Sequence, residues 1–128
     1  MEEYKNFAVR IAKESGKIMK EYFMVGMACK EKEDTSLVTE ADLKINSLLI
    51  KEVSRLLPSH SVLGEEESNM IKGSEYVWVC DPIDGTIPYS LGLPISVFSG
   101  IIPKNRGLFC HFSPCGIWLE VLTFNYHD

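Results

Sequence analysis

YVWVCDPIDGTIPYS, residues 76–90, joins a strand pattern to a pair of aspartates. The run YVWVC is compact and rich in β-branched and aromatic residues, which predicts a strand buried on both faces. Asp81 and Asp84 follow it, with a proline between them and a glycine directly after them. Taken alone, this acidic stretch fits a β-turn, because Asp, Pro and Gly are the usual turn residues. However, burying a carboxylate at the end of a strand is costly without a partner, which favours a functional role for Asp81.

Two amphipathic segments precede this strand and predict helices. Residues 2–24 carry apolar or small side chains at helical spacing, with Lys and Glu on the opposite face. Residues 37–58, LVTEADLKINSLLIKEVSRLLP, repeat the pattern, with Thr39 as the N-cap and Pro58 as the end. The charge-mixed CKEKEDTS between them, residues 29–36, predicts a solvated loop.

Short apolar patterns follow the helices and predict strands. They are SVLG, YVWVC, LPISVFSGII, GLFCHF and GIWLEVLTF. Helices first and strands after them favour an α+β fold, in which two N-terminal helices pack on a mainly antiparallel sheet. A chain of 128 residues is long enough for one domain with one hydrophobic core.

Composition narrows the classes of function. The net charge of −5 and the pI of about 5.2 argue against nucleic acid or an anionic membrane as the main partner, since both select a basic surface. No apolar run approaches the length of a membrane span, and the charged N-terminus does not resemble a signal peptide. The four cysteines are too sparse for a disulfide scaffold, so we expect a reduced, cytoplasmic protein.

Carboxylates also lie at two other predicted element ends. Asp42 is in the first turn of the second helix, and Glu65 and Glu66 follow the SVLG strand. The ends of elements can converge in space, and Mg²⁺ prefers carboxylate and carbonyl oxygens. Converging carboxylates would repel one another without a cation. Taken alone, Asp42 fits a capping box with Thr39, and the glutamate run fits a solvated loop.

Gly85 and Thr86 suit phosphate binding. A glycine at a turn that opens toward a helix leaves backbone N–H groups free for an anion. The Thr86 hydroxyl is suited to orienting a metal-bound water, and Asp42, if it lies close, is suited to accepting a proton.

Three motifs in this order resemble the inositol monophosphatase family: LVTEAD at 37–42, GEE at 64–66 and DPIDGT at 81–86. This family belongs to the Mg²⁺-dependent, lithium-sensitive phosphatase superfamily, which includes fructose-1,6-bisphosphatase-like members. The resemblance covers roughly residues 1–100. It implies that the chain forms the first half of a sugar-phosphatase αβαβα sandwich.

The resemblance implies metal ligands for Mg²⁺ at four positions. Glu65 would bind the first metal, Asp81 would bridge the first and second, and Asp84 would bind the second. Ile83 would give its backbone carbonyl to the first metal. Glu66 matches the motif and would support these ligands without binding the metal itself.

The remaining motif residues are implied to handle substrate and water. Gly85 and Thr86 would supply backbone N–H groups to the phosphate, while Thr86 and Asp42 would activate the attacking water. Lys32 is a weaker match to a lysine of the loop before LVTEAD and is left out of the predicted site.

The function implied is a Mg²⁺-dependent phosphomonoesterase that hydrolyses inositol monophosphate or a related sugar phosphate by in-line attack of a metal-activated water. Its partners would be a small phosphorylated substrate and, since family members form dimers, a second copy of the chain. The alternative is a truncated phosphatase-like fragment that binds metal without turnover, as an inert or interaction module, because positioning carries much of this chemistry.

The C-terminal part departs from the family pattern. Family members are two stacked α/β halves, and a W-D motif in the second half supplies a further metal ligand. This chain lacks that motif, since Trp118 is followed by Leu119. We therefore predict a phosphatase-like domain over residues 1–100 and a divergent tail over residues 101–128, which is truncated, frame-altered or lineage-specific.

A zinc site is an alternative function for this tail. Cys110, His111, Cys115 and His127 are residue types that bind zinc, but His127 lies next to the end of the chain. Ordinary packed thiols and surface histidines are the simpler interpretation of these four residues.

Overall fold

A computed structural model describes residues 2–23, 29–32, 37–93, 97–101, 106–112 and 119–125. Three helices and seven strands lie within these ranges. In chain order they are α1 Glu2–Phe23, β1 Cys29–Glu31, β2 Leu37–Thr39, α2 Glu40–Leu56, β3 Ser61–Gly64, β4 Val77–Asp84, α3 Thr86–Ser90, β5 Val97–Ile101, β6 Arg106–Phe112 and β7 Leu119–Asn125.

The main sheet has five strands in the order β3-β4-β5-β6-β7. β3 and β4 are parallel, and every other neighbouring pair is antiparallel. The prediction of a mainly antiparallel sheet is therefore confirmed. Because β3 and β4 run the same way, their carboxyl ends meet at one edge of the sheet.

The core lies between the two long helices and one face of this sheet. It consists of Phe7, Ala8, Ile11, Ala12, Met19, Ala41, Ile45, Leu49, Val53, Val62, Trp78, Cys80, Ile83 and Tyr89. Phe7 and Trp78 meet edge to face with 4.7 Å between ring centroids. Burial of each large apolar side chain stabilises the fold by about 1.5–3 kcal/mol, so this cluster anchors both helices to β4.

The start of α2 is fixed by the predicted N-cap. Thr39 Oγ1 accepts a hydrogen bond from the Asp42 amide at 3.3 Å, and Asp42 Oδ2 accepts from the Thr39 amide at 2.8 Å. These reciprocal bonds form a capping box, which satisfies two amides that a helix start leaves free. α2 ends at Leu56, just before Pro58, as predicted.

The polar segment before α2 differs from its prediction. Residues 29–31 form β1 and pair antiparallel with β2, so that Cys29 faces Thr39 and Glu31 faces Leu37. The solvated-loop prediction is wrong for these residues because the ladder satisfies backbone groups, whatever the polarity of the side chains. For the same reason Leu37–Thr39 is a strand and not the start of the helix. Residues 33–36 of the predicted loop lie outside the described residues.

β4 continues through the acidic stretch and ends at Asp84. Asp81 pairs with Ser99 and Asp84 with Val97, so three steps on β4 match two steps on β5. This is a β-bulge with one extra residue in β4. The interpretation of the aspartates as a β-turn is therefore wrong, and the turn comes at Gly85.

None of the helices in the described part of the chain combines the length and the apolar character needed to cross a bilayer.

Candidate active site

The parallel pair of strands brings two acidic segments together. Gly64, the last residue of β3, lies opposite Cys80 in β4, and the Glu65 amide donates to the Cys80 carbonyl at 3.1 Å. Glu65 and Asp81, the next residues along each strand, are therefore neighbours. An open groove of about 280 Å³ lies here, lined by Leu63, Gly64, Glu65, Val79, Cys80 and Asp81.

The bulge in β4 aligns the two aspartates. In a regular strand, residues three apart point to opposite faces, because side chains alternate. The extra residue in the bulge shifts this alternation by one step. Within it Pro82 and Ile83 are buried, whereas Asp81 is half-buried and Asp84 is exposed. Asp81 and Asp84 can therefore act on the same side of the sheet, and the charge of Asp84 is felt at Asp81.

Asp81 is the most perturbed carboxylate of this group. Burial raises the pKa of Asp81 to about 7, with the charge and hydrogen bonding of Glu65 and the charges of Asp84 and Asp42 adding to the effect. Its Oδ1 is buried and has no hydrogen-bond partner among the described residues. A buried, partnerless oxygen surrounded by other carboxylates is the environment that a bound cation would relieve.

Asp42 combines the capping role with membership of this acidic cluster. It is 1% exposed, and its Oδ2 also accepts from the Thr39 hydroxyl at 2.5 Å. Burial raises the pKa of Asp42; the hydrogen bonds from Thr39 oppose this rise, and the charges of Glu66 and Glu65 add to it. The capping-box interpretation is correct, and the carboxylate still lies within electrostatic reach of the other acidic residues.

Lys32 supplies a positive charge to the cluster. Its Nζ lies 2.6 Å from Glu66 Oε1 and 3.5 Å from Glu65 Oε1. Burial lowers the pKa of Lys32, but the hydrogen bond and charge of Glu66, together with Glu65, outweigh burial and raise it. Sequence reasoning omits Lys32 from the predicted site because the sequence pattern does not fix the length of the loop that carries it.

Gly85 and Thr86 form the turn between β4 and α3. Gly85 has φ 88°, a left-handed conformation that glycine adopts without steric strain, and it caps the five-residue α3. The Thr86 hydroxyl donates to the Ile83 carbonyl at 3.0 Å. The hydroxyl therefore has a partner other than Asp42, although α3 lies against β2, the strand that leads to Asp42.

The donor set fits a hard divalent cation in its chemistry. The carboxylates and the Ile83 carbonyl are oxygen ligands of the kind that Mg²⁺ prefers, and Asp81 Oδ1 lacks a partner within the described segments. However, no three His, Cys, Asp or Glu side chains of the described residues are gathered closely enough to hold a metal ion. The ammonium group of Lys32 forms ion pairs with Glu65 and Glu66 and so partly neutralises their negative charge.

Asn46 contacts the site although sequence reasoning missed it. Its side chain is 1% exposed, Nδ2 donates to the Glu67 carbonyl at 2.8 Å, and Oδ1 accepts from the Glu66 amide at 3.3 Å. The available signal was a polar residue four positions after Asp42, on the face of α2 that the periodicity assigns to the core.

The thiol of Cys80, which lines the groove, is not suited to act as a nucleophile or a metal ligand. Cys80 is buried with a free thiol, and burial, followed by the charges of Asp81 and Glu65, raises its pKa and keeps it protonated. Of the four residues considered for zinc, Cys115 and His127 lie outside the described residues, and Cys110 and His111 are described only as part of β6.

Known proteins share both the sequence motifs and the fold of this chain. The sequence model of the inositol monophosphatase family matches residues 1–97. Inositol monophosphatase 1 of Sus scrofa is 31% identical over 112 residues, covering 84% of this chain and 40% of that protein. An IMPase of Thermotoga maritima superposes with a TM-score of 0.79 at 21% identity, covering 100% of this chain and 50% of that one. An IMPase/NADP phosphatase complexed with Mg²⁺ and phosphate has a TM-score of 0.64 at 21% identity, covering 85% and 46%.

These likenesses agree with the architecture and with the resemblance of the motifs. The structural matches show a common fold, and the chain spans half or less of the length of each of these three proteins. The family match includes all three acidic motifs, and β3, β4 and α2 bring those motifs to one edge of the sheet. The chain therefore belongs to the inositol monophosphatase family, whose members are phosphatases.

Proposed function

We propose that this chain carries a Mg²⁺-dependent phosphomonoesterase site that acts on inositol monophosphate or a related sugar phosphate. The observation that supports it best is Asp81, whose buried Oδ1 has no partner in the described part of the chain while other carboxylates surround it. Family membership and the Mg²⁺ and phosphate held by a structural neighbour support the same assignment.

The residues that would hold Mg²⁺ are Glu65, Asp81, Asp84 and the carbonyl of Ile83. When bound, Mg²⁺ supplies stabilisation of phosphoryl charge and lowers the pKa of a coordinated water. Glu66 would keep Glu65 and Lys32 in place, since its carboxylate already bonds Lys32 at 2.6 Å.

The turn into α3 would bind the phosphate of the substrate. The Gly85 and Thr86 amides lie at the start of that helix, and a helix N-terminus favours an anion such as phosphate. The Thr86 hydroxyl donates to Ile83, so toward a water it would act as an acceptor and fix its orientation. Asp42, whose pKa is raised by burial, would then take the proton from that water.

The alternative function is a phosphatase-like fragment that binds a divalent cation and does not turn over. The chain covers 40% of the length of its pig relative and 50% of the Thermotoga structure. A pocket that lacks residues from the rest of such a protein loses substrate positioning, which carries much of the rate enhancement.

Two assays on the purified chain separate these functions. Calorimetric titration with Mg²⁺ measures binding, and release of inorganic phosphate from inositol monophosphate and fructose 1,6-bisphosphate, with and without Li⁺, measures turnover. Asp81→Asn should abolish both, whereas Glu67→Gln, which removes an exposed charge nearby, should abolish neither. Mg²⁺ binding without phosphate release would favour the fragment, and a lack of binding would refute both functions.

The proposal keeps three further expectations from the sequence: a phosphatase-like domain over residues 1–100, with a divergent tail over 101–128; a homodimer; and a cytoplasmic location. Residues of the tail form β6 and β7, which continue the sheet. Limited proteolysis therefore tests whether these strands are protected from cleavage, and size-exclusion chromatography tests whether the chain is a dimer.

A further inference from the structure

Asn46 lies one helical turn after Asp42 on α2. Residues four apart share a helix face, so both side chains point toward the same part of the fold. Each is 1% exposed, although the other buried positions along α2 are apolar: Ala41, Ile45, Leu49 and Val53. A buried carboxamide among these residues needs polar partners.

The partners of Asn46 are all in the loop that carries the acidic residues. Its Nδ2 donates to the Glu67 carbonyl at 2.8 Å, and its Oδ1 accepts from the Glu66 amide at 3.3 Å. The carboxamide also packs over Gly64, where an added Cβ would collide with Asn46 Oδ1. Donor, acceptor and shape therefore all fix the backbone of residues 64–67 against α2.

We propose that Asn46 is a positioning residue for the cation site: it holds the 64–67 loop so that the Glu65 and Glu66 carboxylates face Asp81 and Asp42. This inference rests on the proposed function. The Glu66 amide donates a hydrogen bond to Asn46, and the Glu66 carboxylate accepts one from Lys32. These two bonds fix both the backbone and the side chain of Glu66. Partners that orient metal ligands through hydrogen bonds affect metal affinity without touching the metal.

A second asparagine provides the matched control. Asn69 Nδ2 donates to Ser54 Oγ at 3.1 Å and so joins the same stretch of chain to the far end of α2. A purely structural tie between loop and helix is therefore present at Asn69, whereas the contacts of Asn46 reach the residues that flank Glu65.

The test compares Asn46→Ala with Asn69→Ala in the full chain. Calorimetry with Mg²⁺ measures affinity, and amide hydrogen exchange of the metal-free chain measures protection of the Glu66 N–H. Asn46→Ala should weaken Mg²⁺ binding about 10-fold and speed exchange at Glu66, while Asn69→Ala should leave both unchanged. If the alanine variant does not fold, Asn46→Ser keeps a shorter hydroxyl partner and should change both readouts in the same direction.

Wild-type affinity in a folded Asn46 variant would overturn the inference, and so would an equal loss in Asn69→Ala, because the loss would then follow general stability. Faster exchange at Glu66 without a change in affinity would also overturn it, by reducing Asn46 to a structural role. Failure of the proposed function is recognised separately, because the unsubstituted chain would then show no saturable Mg²⁺ binding, and the inference would fall with it.

Discussion

Gly64, the last residue of β3, lies where the chain has no room for a side chain. A Cβ at this position would collide with Asn46 Oδ1 and with the Glu67 carbonyl oxygen. We therefore expect Gly64→Ala to push the loop away from α2 and to break both hydrogen bonds of the Asn46 carboxamide. Two lost hydrogen bonds cost about 2 kcal/mol and overpacking costs about 1–3 kcal/mol, so the free energy of unfolding should fall by about 3–5 kcal/mol.

Urea unfolding followed by tryptophan fluorescence measures this change, because a shift of the midpoint at constant slope reports stability. The control is Gly73→Ala: Gly73 has φ 80° and nothing within 4 Å of the added Cβ. Alanine there should cost only the backbone strain of the left-handed conformation, about 1–2 kcal/mol.

A double-mutant cycle isolates the contact itself. In an Asn46→Ala background the carboxamide is absent, so Gly64→Ala should be less costly by about 1 kcal/mol or more. Equal costs in the two backgrounds would refute the contact, as would a Gly64→Ala variant no less stable than Gly73→Ala.

Three other substitutions test separate parts of the structure. Ser15→Ala should raise the free energy of unfolding by about 1 kcal/mol in urea, because the buried Ser15 hydroxyl has no partner in the described part of the chain. Glu52→Gln should lower it by about 1 kcal/mol at pH 7, because Arg55 and Arg10 bond this carboxylate at 2.8 and 2.9 Å. Those hydrogen bonds lower the pKa of Glu52 from 4.5 to about 2, so its stabilisation is present above pH 4.5 and is lost as pH falls through 2; unfolding curves for both chains should converge there. Asp81→Asn should stabilise the metal-free chain at pH 8 by about 2 kcal/mol, since it removes a half-buried charge that the neighbouring carboxylates repel, yet abolish any rise in melting temperature with added Mg²⁺; a destabilised variant would contradict this.

The features that sequence predicted best depend on residues close together in the chain. Thr39 as an N-cap, Pro58 as a helix stop and the apolar stripes of α1 and α2 all follow from local propensity and spacing. The strand patterns after Pro58 were also sufficient for the fold class, because alternation and β-branched content are local properties.

The missed features depend on pairing across the chain. Whether β1 forms is decided by its partner β2, and the bulge in β4 is visible only against the register of β5. The same applies to side chains: Lys32 meets Glu66 across 34 positions, and no local pattern records that contact. The sequence therefore predicted which carboxylates to consider, and the roles of Glu65, Asp81 and Asp84 in binding a metal stay predictions.

The hydrogen bond from the Tyr89 hydroxyl to the Met19 carbonyl, at 2.6 Å, joins α3 to α1 across 70 positions of the chain. α1 and α2 can form from local contacts as soon as they are synthesised, but α3 has only five residues and depends on docking for its stability. Closing so long a loop is slow compared with forming a helix. The Gly85–Thr86 turn should therefore be among the last parts of the chain to become ordered during folding, and among the first to be lost when α1 is displaced.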